Sequence, residues 1–288
     1  MSDGPKRLTR ADQEGTPMKN ASELAHDVRL TAAEKGHQVA SHTAEQRRIN
    51  DYWSRWARDY EAHQAARRET EGGTSVWEDV WNAALPQPPA QVLDLGTGSG
   101  AVAFLLAGMG HQVTGIDLAE GMLAEARRRS GYSSNPMFGR GDASTPEFDD
   151  ETFDALTARY VLWTLRGPEQ ALAEWLRILR PGGVLVAVDS LWFPQGLACQ
   201  GEASSERARD FRETYRGHEQ DLPLAEADSI DAFAGRIRAA GFVDVTVDEL
   251  PAVMEADRAH GVAPGHDVQM QHRIRAKKPE AASSSLTL

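Results

Sequence analysis

Between Ser41 and Arg68 the apolar positions Ile49, Trp53, Trp56 and Tyr60 recur at spacings of 4, 3 and 4, which places them on one stripe of a helix that must dock on something. A second helical stripe, Val76, Trp77, Val80 and Trp81, lies between Gly72 and Gln87 and is closed by Pro86, Pro88 and Pro89, which form a hinge. From Gln91 the pattern changes to short apolar runs: Val92–Leu95, Gln112–Ile116, Phe153–Thr157, Val184–Val188, Phe242–Val247 and Val268–Ile274. Helix-like stretches fit between them at about 99–109, 119–130, 168–180 and 229–240, and such alternation predicts βαβ units on a parallel sheet. Gly182, Gly183 and Gly241 stand where those helices would end. The interval from Leu191 to Asp228 breaks the alternation, being long and charged with Trp192, Phe193, Phe211 and Tyr215 scattered through it, and reads as an inserted helical lid.

These patterns divide the chain into a flexible arm over 1–40, a helical cap over 41–88, a main α/β domain over 89–278 with the lid at about 191–228, and a disordered tail over 279–288. The hydrophobic share of 41 % beside 26 % charged residues is that of a globular protein with a sizeable core. No apolar run reaches the roughly 18 residues of a membrane span and the N-terminal stretch is polar, so a cytoplasmic protein without membrane contact is expected. Thirty-one basic against 43 acidic residues give a formal charge of −12, which disfavours nucleic acid as a partner. The single cysteine, Cys199, excludes an internal disulfide and reads as packing, and no pair of the nine histidines has the local spacing of a metal site, so no metal is expected. His260 and His266 are read as loop residues.

The chemistry concentrates at Val92-Leu93-Asp94-Leu95-Gly96-Thr97-Gly98-Ser99-Gly100, an apolar strand that runs into glycines and then into a helix. Such a turn lets a ligand approach the backbone and points helix N-terminal N–H groups at it. Taken alone it is ambiguous, because Gly96, Gly98 and Ala101 also satisfy the dinucleotide pattern, with Asp117 about 20 residues further on. Asp94 weighs against a pyrophosphate, which is anionic, and favours a cationic ligand.

On these residues the segment resembles the first motif of the class I S-adenosylmethionine-dependent methyltransferases, and the resemblance extends over most of residues 45–275, toward the small-molecule, ubiquinone-biosynthesis-type branch. It implies a doubly wound, seven-stranded, mostly parallel α/β sheet with N-terminal helices and an inserted lid. It further implies that Asp94, Gly96, Thr97, Gly98 and Gly100 cradle S-adenosylmethionine and that Asp117 holds its ribose. By the same resemblance Asp142 and Ala143 meet the adenine amino group, Leu118 and Met122 sandwich the ring, and Arg159 lies beside the methionine moiety. The turn Leu179-Arg180-Pro181-Gly182-Gly183 resembles the family's lead into the fifth strand. The family closes its pocket with an N-terminal helix, which brings Trp53 and Tyr60 into the cofactor set.

Plainer roles compete at several positions: Asp117 suits a helix cap, Asp142 a loop turn, and the aromatic stripe a packing face. Trp163, Trp192, Phe193 and Tyr215 are the candidate substrate-pocket residues, near the carboxyl edge where doubly wound sheets place ligands. If the acceptor arrives protonated a base is needed, and the candidates are His218 in the lid and Tyr160. The expected activity is methyl transfer to an O or N atom of a small molecule, such as a secondary metabolite, with S-adenosylhomocysteine as product. A homodimer is compatible with the sequence. Two alternatives stay open at this stage: a protein of the same fold that uses the cofactor for another reaction or senses it, and a nicotinamide-dependent oxidoreductase.

Overall fold

Val184, Val186 and Val188 face one side of a central strand while Leu185 and Ala187 face the other, and all five are buried, as expected where both faces of a sheet are covered. The computed structural model describes residues 44–70, 75–197, 205–217, 221–262 and 267–281. The arm expected over 1–40, Cys199, His218, His266 and most of the tail lie outside the described residues. Those described all belong to one compact unit, Gly36–Leu288.

Among them are seven strands: β1 (Gln91–Leu95), β2 (Gln112–Asp117), β3 (Met137–Arg140), β4 (Phe153–Arg159), β5 (Leu179–Ser190), β6 (Val243–Glu249) and β7 (Gln271–Lys277). Their order is β3-β2-β1-β4-β5-β7-β6, with β1 to β5 parallel and β7 antiparallel to both its neighbours. The strand order reverses between β1 and β4, and a doubly wound sheet opens its ligand crevice at the carboxyl ends of such a pair.

Nine α-helices among the described residues surround the sheet: α1 (Ala44–Arg55), α2 (Ala57–Arg68), α3 (Ser75–Asn82), α4 (Ala101–Gly108), α5 (Glu120–Ser130), α6 (Pro168–Ile178), α7 (Glu206–Tyr215), α8 (Asp231–Ala239) and α9 (Pro251–His260). One core cluster joins Trp81 of α3 to Val92, Val102, Leu106 and the valines of β5; the other joins Leu93, Leu95 and Leu156 to Trp175 of α6 and Phe233 of α8. Trp81 and Trp175 are fully buried, and truncating either to alanine would cost about 3–5 kcal/mol by the usual penalty for such cavities.

Three expectations need correction. The helix expected through Arg68 is two helices, α1 and α2, meeting at Trp56 (φ −94°, ψ 7°), where the indole donates to Asp210 of α7 across 2.7 Å. Gly182 and Gly183 do not close a helix. The last turn ends at Ile178 and β5 runs on through both glycines, because Gly182 N–H and Gly183 C=O pair with Lys278 beyond β7. His260 is not in a loop but ends α9, a helix that Pro251 opens at its first turn, where the missing N–H is no loss. The expected lid interval contains, among its described residues, the helix α7, with 3₁₀ residues at Leu197 and Asp221 and turns, bends and irregular backbone around them. No helix among the described residues is long and apolar enough to cross a membrane.

The cap helices dock where the main domain makes room for them. Any Cβ on Gly121 of α5 would lie 2.4 Å from the Ser54 carbonyl oxygen of α1, so only glycine permits this approach, and its N–H donates to Ser54 Oγ across 3.2 Å.

Candidate functional site

The turn after β1 owes its shape to three glycines with positive φ: Gly96 (61°), Gly98 (55°) and Gly100 (80°). Side chains rarely adopt this conformation, and two of the three sites have no room for one besides. A Cβ on Gly96 would stand 2.6 Å from Val161, and one on Gly100 2.6 Å from Phe138. Gly98 differs: the nearest atom to its imagined Cβ is Met122 Sδ at 4.0 Å, because this glycine faces a cavity.

That cavity, of about 230 Å³, opens at the carboxyl edge of β1, β2 and β4 under the cap. Asp94 lies at its floor, almost wholly buried, and accepts hydrogen bonds from Thr97 Oγ1 (2.6 Å) and Thr157 Oγ1 (2.8 Å). Burial pushes its pKa up to about 6 against the pull of those two hydroxyls and of Arg159, so it is charged at neutral pH and a further cation beside it would be favoured. Asp117 ties the turn to the start of α5, accepting from Gly98 N and Ala119 N at 2.8 Å each. Burial raises its pKa too, with the backbone N–H groups opposing. Each of its oxygens retains acceptor capacity toward a hydroxyl, so the helix-end role and a ligand role coexist.

Leu118 and Met122 line the wall beside Asp117. Asp142 accepts from Ser144 N (2.7 Å) in an Asx turn, and the indole of Trp175 holds Ala143 O from below at 2.7 Å. Arg159, at the end of β4, lies over the rings of Trp77 (4.9 Å) and Tyr160 (5.3 Å) and hydrogen-bonds to Tyr60. Of the expected cofactor residues all but Gly100 line the cavity; Gly100 instead shapes the turn as the cap residue of α4.

The opposite wall is aromatic. Trp53, Tyr60, Tyr160, Trp163, Trp192 and Tyr215 all face the cavity, and Trp53 Nε1 donates to Tyr215 Oη across 3.2 Å. Phe193 does not line it; the ring packs behind Trp163 (5.5 Å) and against Phe211 (5.9 Å). Tyr160 has a strained φ of 63°, and burial pushes its hydroxyl well above the ordinary range, which removes it as a proton acceptor at neutral pH.

Several lining residues escaped the sequence reading. His63, Gln64 and Arg67 continue the stripe of Tyr60 along α2 at helical spacing, but their polar character hid the continuation. Asp257 of α9 pairs with Arg67 and so joins α9 to the cap. Asp189, at the end of β5, is fully buried; it accepts from Trp192 Nε1 (2.5 Å), Ser190 N (3.0 Å) and Trp163 N (3.3 Å), and desolvation lifts its pKa to about 7. It orients two of the aromatic walls from behind.

Comparison with known proteins agrees with this geometry. A family model described as a methyltransferase domain matches residues 93–187. A ubiquinone/menaquinone biosynthesis C-methyltransferase of Desulfotalea psychrophila is 32 % identical over 204 residues, covering 61 % of this chain and 75 % of that protein. A demethylmenaquinone methyltransferase of Clavibacter sepedonicus is 34 % identical over 131 residues, 45 % of this chain and 54 % of that protein. The chain spans about half the length of the demethylmenaquinone methyltransferases it matches. Among solved structures, Haemonchus contortus phosphoethanolamine N-methyltransferase 2, in complex with phosphomonomethylethanolamine and S-adenosylhomocysteine, shares the fold at a TM-score of 0.51 and 19 % identity, over 73 % of this chain and 58 % of that one.

Proposed function

Because this chain belongs to the class I S-adenosylmethionine-dependent methyltransferases, in their ubiquinone-type branch, we propose that it transfers a methyl group to a ring carbon of a hydroxylated aromatic small molecule. S-adenosylmethionine is the family's cofactor, and membership leaves the nicotinamide alternative without support. Carbon replaces the oxygen or nitrogen acceptor expected from sequence, since the relatives compared above are named for methylating carbon or for acting on demethylmenaquinone. One observation of the structure carries the reading: the same cavity combines a carboxylate floor with an aromatic wall.

The residues present fit the cofactor. Gly98 leaves the floor open where any side chain would intrude, Asp94 and Arg159 offer opposite charges for an ammonium and a carboxylate, and Asp117 has acceptors for sugar hydroxyls. Asp142 with Leu118 and Met122 would hold the adenine. When bound, the cofactor supplies an electrophilic methyl group on a sulfonium with a good leaving group. The chain's own task is therefore orientation, which can supply about 7–11 kcal/mol of a barrier when reacting atoms are held in line. Trp163, Trp192 and Tyr215 present ring faces and edges that fit a flat acceptor, and aromatic pairs add about 0.5–1.5 kcal/mol beyond burial. Closing these walls also excludes water from the reacting atoms.

The test uses the whole chain, cofactor labelled with carbon-13 at its methyl group, and 1,4-dihydroxynaphthalene under anaerobic conditions. The expected result is a ring-bound methyl resonance growing in step with S-adenosylhomocysteine. A methoxy resonance, or demethylated cofactor without a methylated ring, would contradict the proposal.

A further inference from the structure

Methylating an aromatic carbon leaves that carbon with one hydrogen too many, so the site needs a proton acceptor beside the acceptor ring. We infer that His63 of α2 is that acceptor: its imidazole lines the cavity one helical turn beyond Tyr60, and its Nε2 is buried with no hydrogen-bond partner. The inference rests on the carbon-methylation reading and assigns the residue that completes it. In the step, the new methyl–carbon bond forms as the methyl–sulfur pair returns to sulfur. The ring C–H bond then breaks, its pair restores aromaticity, and the proton passes to His63 Nε2, giving imidazolium that later releases it to water.

The other proton acceptors lining the cavity, among the described residues, are engaged or misplaced. Asp94, which accepts from two threonine hydroxyls, Asp117, which accepts from two backbone N–H groups, and Asp142, which accepts from Ser144 N, are engaged there and are the carboxylates proposed to hold the cofactor. Asp257 is committed to Arg67, and Asp267 stands at the exposed rim. Tyr215 already accepts from Trp53, and Tyr60 is bonded to Arg159. His63 alone combines a ring nitrogen without a hydrogen-bond partner with a place on the wall.

Its surroundings keep it ready to accept. Burial, then Arg67 on its own helix and Arg207 on α7, hold its pKa below the usual histidine value, while Asp257 on α9 opposes them. Arg207 is itself almost wholly buried, with both Nη atoms unpartnered, bonded through Nε to Tyr52 and lying over the Tyr60 ring at 5.7 Å. At neutral pH the imidazole is therefore uncharged, and the two guanidinium groups hasten loss of the proton once taken. A neutral group that must stay neutral is what a base needs.

The experiment compares the wild type with His63→Gln and His63→Ala. With S-adenosylmethionine saturating at every pH, so that loss of the Asp94 charge near pH 6 does not limit the rate, kcat for methyl transfer to 1,4-dihydroxynaphthalene should fall in the wild type on the acid side of a pKa below 6.5. His63→Gln should lower kcat about 10²- to 10³-fold and abolish that acid limb, the range expected when a general base is lost. Added imidazole should restore part of the His63→Ala rate, and the calorimetric affinity for S-adenosylhomocysteine should stay within about twofold in both variants, since neither touches the residues proposed to hold it. Retained kcat and a retained acid limb in His63→Gln would overturn the inference. If the wild type transfers no methyl to this probe, the functional reading fails separately, and nuclear magnetic resonance decides the inference: adding 1-naphthol to the S-adenosylhomocysteine complex must shift the His63 imidazole nitrogens, and unshifted signals overturn it.

Discussion

The two walls of the cavity are built by different means. On the sheet side the turn after β1, the end of β2 and the loop after β3 are held by contacts close in sequence: Thr97 to Asp94, Ala119 to Asp117, Ser144 to Asp142. Glycine conformations and backbone N–H groups do most of the shaping there. On the cap side the ties to the lid helix span the chain. Trp53 reaches Tyr215, Arg55 and Trp56 reach Asp210, and Tyr52 meets Arg207, all over 154 to 162 residues. The sheet-side wall, proposed to face the cofactor, is thus defined largely by backbone, whereas the cap-side wall, proposed to face the acceptor, is an assembly of side chains on separate elements. A site built this way can keep one ligand constant while its second wall diverges.

Substitutions can break that contrast from either side. The largest effect should come from Gly96→Val, which places a β-branched residue at a φ of 61° with its Cβ against Val161. Left-handed strain and overpacking together should cost about 2–5 kcal/mol, seen as a lowered urea midpoint, and should abolish measurable S-adenosylhomocysteine binding. Next comes acidity. Asp94, with its pKa raised to about 6, is ionised at pH 7 and neutral at pH 5, so attraction for an ammonium is present above 6 and lost as pH falls through it. Calorimetry should show the dissociation constant rising about tenfold per pH unit below 6, and a flat profile between pH 5 and 7 would contradict the role.

Asp189→Asn should act on the other wall. An amide must turn a donor toward either the Trp192 indole or a backbone N–H, an unmet contact costing about 1–3 kcal/mol. The acceptor KM should rise about tenfold, with S-adenosylhomocysteine affinity unchanged, in steady-state kinetics beside calorimetry. The smallest effect belongs to Asp210→Ala, which frees Arg55 and Trp56 at a partly exposed site. Such contacts are worth about 1 kcal/mol or less, so a change in kcat/KM for the acceptor of no more than about fivefold is expected, with an altered tryptophan emission.

The same contrast explains which parts could be read from the chain. Strand β1 and its glycines were legible because an apolar run, a positive-φ residue type and a carboxylate lie within nine positions, and the βαβ alternation carried the sheet with them. Strand β3 left no readable run, being four residues long with Gly139 inside it. Helix α9 was missed because its pattern, Val253 and Asp257 facing inward, buries a charged residue that needs Arg67 from another helix. His63 shows the limit most clearly: periodicity marks which face of α2 turns inward, but only the cavity behind that face makes a polar inward residue meaningful.

The claim that the backbone-defined wall holds the ribose of S-adenosylmethionine is tested most directly at Asp117, by calorimetric titration of S-adenosylhomocysteine into the wild type and Asp117→Ala. Losing the carboxylate strands Gly98 N and Ala119 N and removes the sugar's acceptor, so affinity should fall at least about tenfold while the chain stays folded. Equal affinity in the two proteins would contradict the account.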